Sequence, residues 1–480
     1  MTRKKTVKDF TKEDLVHDLA YRLADEHYRA GMTMSEMERC VWKAFGSGSY
    51  SGPALAVLLS RMPLEKPTGK LCPKCGKRTP VRAHDRERTL RTLCGRVTLK
   101  RNYHYCEKCQ LGFCPMDRTL DLPEEGELTA EMEKRVADFA ITDVYGDCVT
   151  RWRVHYDEPI SENLLRRVVA RLGVQCAAAD QAQLQEELKP ASEQPAEVLV
   201  IEVDGSLLPI RGTEPWKEAK VGVTYRHDPE LNKPVKDSAR YVSVLGCIDE
   251  FAPVLQDALE VERLDEAPTV LWLGDGLPCN WTLADQLAPD ATQILDWYHA
   301  VQKAMECGKA VLGEESPDLP LWHRTVETIL ARGDAEGLIR ELMDCVPLIP
   351  KGRKGSREAL ESLSSAVGYF RNNAQRMRYA LFREWGYPIG SGAAESAHRH
   401  VLQARMKRSG QHWAMRNARL MARLRAAYRT GDALTFHGAI RRAHRDTVAG
   451  KVQRRAKRNG FRWARQGSRD IERSRELCSN

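Results

Sequence analysis

The sequence predicts a multidomain protein of mixed α/β and α+β class. A mixed-sheet core carries a helical insertion, and a helical region and a small cysteine module precede it. Three observations predict this. Five apolar runs between 198 and 296 are separated first by turns and then by helical stretches, the pattern of a mixed sheet under helices. Two CxxC pairs bracket an alternating segment between 72 and 109. Apolar residues recur at helical spacing through residues 10–62, 127–173 and 299–384. At 480 residues the chain has room for three or four domains.

Residues 1–65 read as helices. Leu15, Leu19, Leu23 and His27 share one face, and Met34, Met37, Val41 and Phe45 share another. Breaks fall at 46–49 and 51–53, where Gly, Ser and Pro cluster.

Residues 66–120 hold Cys72-Pro-Lys-Cys75 and Cys106-Glu-Lys-Cys109. Leu90, Thr92, Val97 and Leu99 alternate around Gly95 between them, which predicts a hairpin. Two such knuckles joined by a hairpin build a zinc ribbon. Thiolates at i and i+3 reach one tetrahedral Zn²⁺ at about 2.3 Å, and the second pair completes a closed, structural site. Cys94 and Cys114 stand nearby as spares. Lys74, Lys77, Arg78, Arg82, Arg86, Arg88 and Arg91 make the module basic, suited to phosphate neutralisation.

In residues 121–195 one amphipathic helix is predicted over 131–145 and a second over 162–172, with Ser161 as its N-cap. Leu164, Leu165, Val168, Val169 and Leu172 form the apolar face of the second, and Arg166, Arg167 and Arg171 a basic one. Such a pair suits helix-turn-helix docking in a major groove; a plain helical hairpin is the alternative. Residues 181–195 read as a linker.

The core, 196–430, shows strands at 198–204, 220–225, 240–248, 269–273 and 291–296 and helices at 257–264 and 281–287. A helical insertion covers about 304–385, too long for a loop. Helices follow at 393–406 and 413–428. The remainder, 431–480, is a basic tail.

Charge is uneven. From Arg399 to Asn480 there are 22 Lys and Arg against 5 Asp and Glu, so the rest of the chain is near −8 although the whole is +9. Aromatics at Trp413, Tyr428, Phe461 and Trp463 interleave with these cations, a composition that suits nucleic acid. No run of about 18 apolar residues predicts a membrane span. The 14 cysteines are mostly scattered singly, as in reduced proteins. The N-terminus has no apolar signal core, so a cytoplasmic protein is expected.

Three acids stand out. Asp204 ends the first apolar run as VDG, Asp275 ends the fourth as GDG, and Glu395 opens a helix after Gly390-Ser391-Gly392. Phosphodiester transfer asks for an activated attacking oxygen and a neutralised leaving oxygen, which two Mg²⁺ or Mn²⁺ ions supply together. Those cations take carboxylate oxygens, and Asp204 is placed to bridge them. Asp249 and Asp285 are weaker substitutes, neither at so clear a strand end. After Glu395, the residues His398, Arg399, Arg405, Lys407, Arg408 and Trp413 are expected to lie against DNA phosphates.

The chain resembles DDE transposases of bacterial insertion sequences, most of all the ISKra group related to Mutator-type elements. The matching stretches are VDGS at 203–206, KVGV at 220–223, LGDG at 273–276, DWYHAVQK at 296–303 and GSGAAESAHRHVLQARMKRSGQHW at 390–413. The resemblance covers most of residues 70–430. It implies an RNase H-like catalytic core in which Asp204, Asp275 and Glu395 ligate two Mg²⁺. It also implies auxiliary roles at the site for Asp296 and His299. A transposase acting on terminal inverted repeats and target DNA at the bacterial nucleoid, as a dimer or larger assembly, is the expectation. A nuclease of the same fold without strand transfer, and a non-catalytic DNA-binding descendant, are the alternatives.

Overall fold

The apolar run that begins at Val198 does not stop at Asp204. It continues as a strand to Pro209, because its antiparallel neighbour keeps pairing: Asp204 lies opposite Val221, and the ladder runs on to Pro209 opposite Trp216. On its other edge the parallel neighbour pairs only as far as Glu202. Asp204 therefore stands inside one ladder and just past the end of the other, not at the end of the strand.

The computed structural model describes residues 12–46, 50–62, 69–123, 126–156, 159–178, 195–212, 215–349 and 355–430. The predicted linker lies almost wholly outside them, and the basic tail lies wholly outside. The chain divides into two compact units, Met1–Val169 and Ala170–Asn480.

In the first unit α1 (Lys12–His27), α2 (Met34–Phe45) and α3 (Ser51–Ser60) pack together. Met34, Met37 and Val41 are buried as their spacing predicts. The α1 face is different: Leu15 and Leu19 are exposed, while Ala20 and Ala24 are buried. Small residues let α1 approach α3 closely, and that outweighs the larger transfer gain a leucine face would give. A two-stranded sheet, β1 (Lys70–Leu71) with β2 (Arg78–Thr79), precedes the hairpin β3 (Val81–Thr92) and β4 (Gly95–Cys106), to which β5 (Leu111–Phe113) adds. The hairpin is longer than the alternating segment suggested, and it turns at Leu93-Cys94.

After the short α4 (Pro115–Thr119), the helix predicted over 131–145 is two helices, α5 (Ala130–Thr142) and α6 (Tyr145–His155). Asp143 divides them: its backbone is extended and its carboxylate accepts the Val144 N–H at 2.9 Å. Helix α7 (Glu162–Ala178) starts where predicted, with Ser161 Oγ accepting the Leu164 N–H at 3.2 Å. All five of its expected apolar positions are buried.

The second unit is built on strands β6 (Val198–Pro209), β7 (Trp216–Asp228), β8 (Lys233–Pro234), β9 (Arg240–Leu245), β10 (Thr269–Gly274) and β11 (Thr292–Leu295). The order is β11-β10-β6-β7, with β8 and β9 both pairing with β7. Neighbours β6, β7 and β9 are antiparallel, and β10 and β11 run parallel to β6. Residues 198–203 are buried at every position, as a central strand covered on both faces requires.

Helix α8 (Ile248–Val261) begins well before the predicted 257 and contains Pro253. Glu250 reaches back to the Cys247 N–H at 3.3 Å, an N-terminal cap built on cysteine that residue preferences do not signal. Then come α9 (Pro278–Leu287) and α10 (Trp297–Leu312). The insertion continues as α11 (Leu319–Ala331), α12 (Ala335–Asp344), α13 (Ser356–Asn373) and α14 (Tyr379–Glu384). The segment predicted as one helix over 393–406 is α15 (Gly392–Ala397), a π-helical stretch over His398–Gln403, and α16 (Ala404–Met406). Helix α17 (Met415–Thr430) packs on β9.

Candidate functional site

Parallel pairing sets the two strand acids beside each other. Leu273 on β10 pairs with Glu202 on β6, and each acid lies two residues further along its own chain. Parallel neighbours run about 4.8 Å apart, so Asp204 and Asp275 stand at matching positions just past the end of the β6–β10 ladder. Gly276, at φ +86°, turns the chain after Asp275, and an added Cβ there would meet the Tyr369 ring at 2.6 Å. That close approach lets the Tyr369 hydroxyl donate to the Asp275 carbonyl at 2.9 Å.

Beneath the acids, Asn280 ties the two strands together. Its amide accepts from Trp272 Nε1 at 2.9 Å and donates to the Val203 carbonyl at 3.3 Å.

His398 comes in from the segment after Glu395. Its Nε2 lies 3.1 Å from Asp204 Oδ2, within ion-pair distance though not aligned as a hydrogen bond. Burial works to raise the Asp204 carboxyl, but the His398 ring, the Gly205 N–H and the charge of His299 outweigh it, and the group is held below the usual carboxylate range. Lys407 Nζ reaches Ser206 Oγ at 3.4 Å, two residues along β6 from the same acid.

Asp296 is a buried N-cap. Its Oδ1 accepts the His299 N–H at 2.7 Å and faces His299 Nδ1 at 3.0 Å. Its Oδ2 accepts from the Ser391 hydroxyl at 2.6 Å and from the Ser391 N–H. Burial opposes ionisation of Asp296, and these donors more than offset it. His299 is raised, first by Asp296 and then by the charges of Asp204 and Asp275, against its own burial. His299 thus responds to both strand acids, and Asp296 orients the ring while holding the 390–392 loop.

Glu395 departs from expectation. Its side chain is 76% exposed and pairs with Arg399, one turn on, at 3.2 Å. Among the described residues Asp204, Asp275 and Glu395 do not form a group at metal-ligand spacing. Three anions repel, and a neighbouring guanidinium is the better partner for the most exposed of them.

Three expected DNA contacts are also corrected, the first being His398, which is buried against Asp204. Arg405 is 1% exposed and its guanidinium lies 5.1 Å from the Trp413 ring centroid. Trp413 is buried, its Nε1 donates to the Met406 carbonyl at 3.0 Å, and its backbone bridges to Ile210. Both are internal packing, because the chain between them folds back onto the end of β6. Arg399, Lys407 and Arg408 are exposed, as are Arg166 and Arg167 on α7. The substitutes Asp249 and Asp285 sit exposed on α8 and α9, and Asp285 is engaged by Gln293 at 2.6 Å.

Sequence reasoning missed Glu202. It lies within the apolar run, fully buried, and accepts from the Tyr225 hydroxyl at 2.8 Å and the Ala394 N–H at 2.6 Å. Burial, aided by the charge of Asp296, raises its carboxyl to about 7 against the pull of those donors. The available signal was an acid among buried aliphatics, a placement that requires partners.

In the first unit, the ligand atoms of Cys72, Cys75, Cys106 and Cys109 all lie within 4.8 Å of one another. Each knuckle is a tight turn: Cys72 N–H donates to the Lys77 carbonyl at 2.8 Å, and Gly76 takes φ +71°. Cys106 pairs with Leu111 across the second turn, where Gln110 is at φ +50°. The Lys74 N–H points to Cys72 Sγ at 3.4 Å, and Cys75 Sγ lies 3.7 Å from Cys106 Sγ. The Lys77 N–H draws Cys75 down to about 7, whereas burial and the neighbouring thiols push Cys109 to about 12. This soft, four-thiol set can hold a metal ion such as zinc. Cys94 stays apart in the hairpin turn, buried with its thiol pushed to about 12.

No helix among the described residues is long and apolar enough to cross a membrane. No curated protein matches the chain. Residues 31–445 match the uncharacterised protein family UPF0236, and the chain belongs to that family.

Proposed function

We infer that the chain is a DNA transposase with an RNase H-like core. The strand order, with antiparallel β6, β7 and β9 beside parallel β10 and β11, is what supports that fold. One contact carries the functional reading: His398, one turn beyond Glu395, rests on Asp204 at 3.1 Å. The helix bearing the third acid is thereby seated on the strand bearing the first, next to the strand end bearing the second.

The carboxylates are hard oxygen donors and suit Mg²⁺ or Mn²⁺. Two such ions, held by Asp204, Asp275 and Glu395, would activate the attacking oxygen and take up charge on the leaving one. Glu395 would exchange Arg399 for that role. Asp204 is held below the usual carboxylate range, and His299, held by Asp296, sets an imidazole that keeps its proton more tightly than usual beside the acids. Arg399, Lys407 and Arg408 provide cations for the phosphate backbone.

In the first step water attacks the phosphorus at the element end and a 3′-oxygen leaves as a hydroxyl. In the second that hydroxyl attacks a target phosphorus and displaces the target's own 3′-oxygen. The four-cysteine module, with Zn²⁺ bound, and the N-terminal helices would recognise the terminal inverted repeats, and joining two ends calls for at least a dimer. The reaction would take place on DNA in the bacterial cytoplasm.

Incubating the full chain with DNA of the element ends and Mg²⁺, then mapping products to the nucleotide, tests this. Cleavage at the ends with joining of the 3′-hydroxyl is expected. Cleavage without joining would reduce the reading to a nuclease, and no metal-dependent product would remove it.

A further inference from the structure

We propose that Glu202 is a positioning residue, a buried carboxylate that fixes the first turn of the helix carrying Glu395 against the strand carrying Asp204. The functional part of this rests on the transposase reading above. Glu202 and Asp204 are two apart on β6 and so share a face of the sheet. Glu202 is fully buried, and both of its oxygens are used. Oε1 accepts the hydroxyl of Tyr225 on β7 at 2.8 Å, and Oε2 accepts the N–H of Ala394 at 2.6 Å. One carboxylate therefore bridges the sheet to the residue that immediately precedes Glu395.

The helix needs this support. The first backbone N–H groups of any helix have no partner within it, and a side chain at the N-cap normally supplies one. Here the N-cap, Ser391, caps nothing; its hydroxyl and N–H are both turned to Asp296. The first turn is held from outside instead, by two buried acids on separate elements. Asp296 anchors the loop to the start of α10, and Glu202 anchors the turn to β6. A carboxylate is also the side chain that the positive end of a helix favours. One turn later His398 meets Asp204, so the Glu202 contact sets the register in which that meeting occurs.

The test compares Glu202→Gln with Glu202→Leu in the full chain. Gln keeps an oxygen for the Ala394 N–H; Leu matches the bulk and offers none. Hydrogen exchange over residues 390–397 reads the contact without reference to activity. Cleavage of element-end DNA in Mg²⁺, resolved into kcat and KM, reads its consequence. Gln is expected to exchange and cut within about threefold of wild type, whereas Leu should exchange at least about tenfold faster over 390–397 with β6 still protected. Leu should also lose about tenfold or more in kcat with KM nearly unchanged, as displacement of a reacting group predicts. If Leu does not fold, Glu202→Asp, one methylene short of Ala394, takes its place with the same expectation. Unchanged exchange in the Leu or Asp variant, or a Gln variant as impaired as Leu, overturns the proposal. A wild-type chain that shows the exchange pattern but cuts no DNA leaves the positioning contact standing and removes the transposase reading instead.

Discussion

His398 Nε2 and Asp204 Oδ2 lie 3.1 Å apart, with His398 almost wholly buried. Replacing His398 with Ala removes the largest group holding the Asp204 carboxyl below its usual range and leaves only the Gly205 N–H and the charge of His299 against burial. The expected outcome is an upward shift of that carboxyl, followed by NMR titration, and loss of Mg²⁺-dependent cleavage by about a hundredfold. An unshifted carboxyl in the Ala variant would separate the two residues.

The basic residues after Glu395 fall into two classes. Arg399, Lys407 and Arg408 are exposed, whereas Arg405 is packed on Trp413. Each of Arg399→Ala, Lys407→Ala and Arg408→Ala is expected to weaken DNA binding and to lower the salt slope by about one, as loss of a phosphate contact does. Arg405→Ala is expected to lower stability by roughly 3 kcal/mol, the cost of breaking a buried polar and packing site. Calorimetric melting beside binding isotherms at several salt concentrations distinguishes the two classes.

The four-cysteine set makes a separate prediction. Purified chain is expected to carry one zinc. Cys72→Ser or Cys106→Ser should lose it and melt earlier, since binding of a structural zinc contributes directly to folding. Metal content by mass spectrometry checks the first part. A Ser variant with full zinc and unchanged melting would contradict the assignment.

Glu38, buried in α2, accepts from Thr129 Oγ1 at 2.7 Å and from the Leu93 N–H at 3.3 Å. Burial raises its carboxyl from an ordinary 4.5 to about 8, against those donors. The folded state therefore holds this proton more tightly than the unfolded one. Its contribution is fully present below pH 4.5 and is lost as pH climbs to about 8. Glu38→Gln should gain on wild type by about 1.4 kcal/mol per pH unit across that window and match it below. Denaturant melts of both proteins from pH 4 to about pH 9 measure the difference.

Much of this was legible in the sequence. Five of the six core strands, all but β8, lie over the apolar runs that predicted them, because a strand buried on both faces is mostly apolar. The cysteine pairs announced their own geometry. Other features depend on tertiary partners that no local pattern encodes. The end of β6 was misplaced because a Gly after an acid reads as a turn, yet the β7 ladder carries the strand onward. Helix α1 turned its alanines inward because their small side chains let it approach α3 closely. Arg405 read as a surface cation, but Trp413 folds over it. The outward set of Glu395 follows from Arg399, and Glu202 was concealed inside the run that identified the strand.

The central claim is that Asp204, Asp275 and Glu395 share a metal pair. Counting Mn²⁺ ions bound by the zinc-loaded chain on element-end DNA tests it most directly, with Asp204→Asn measured alongside. Two Mn²⁺ per wild-type chain, falling to one or none in the variant, is the expected result; an equal count in the two proteins would contradict it.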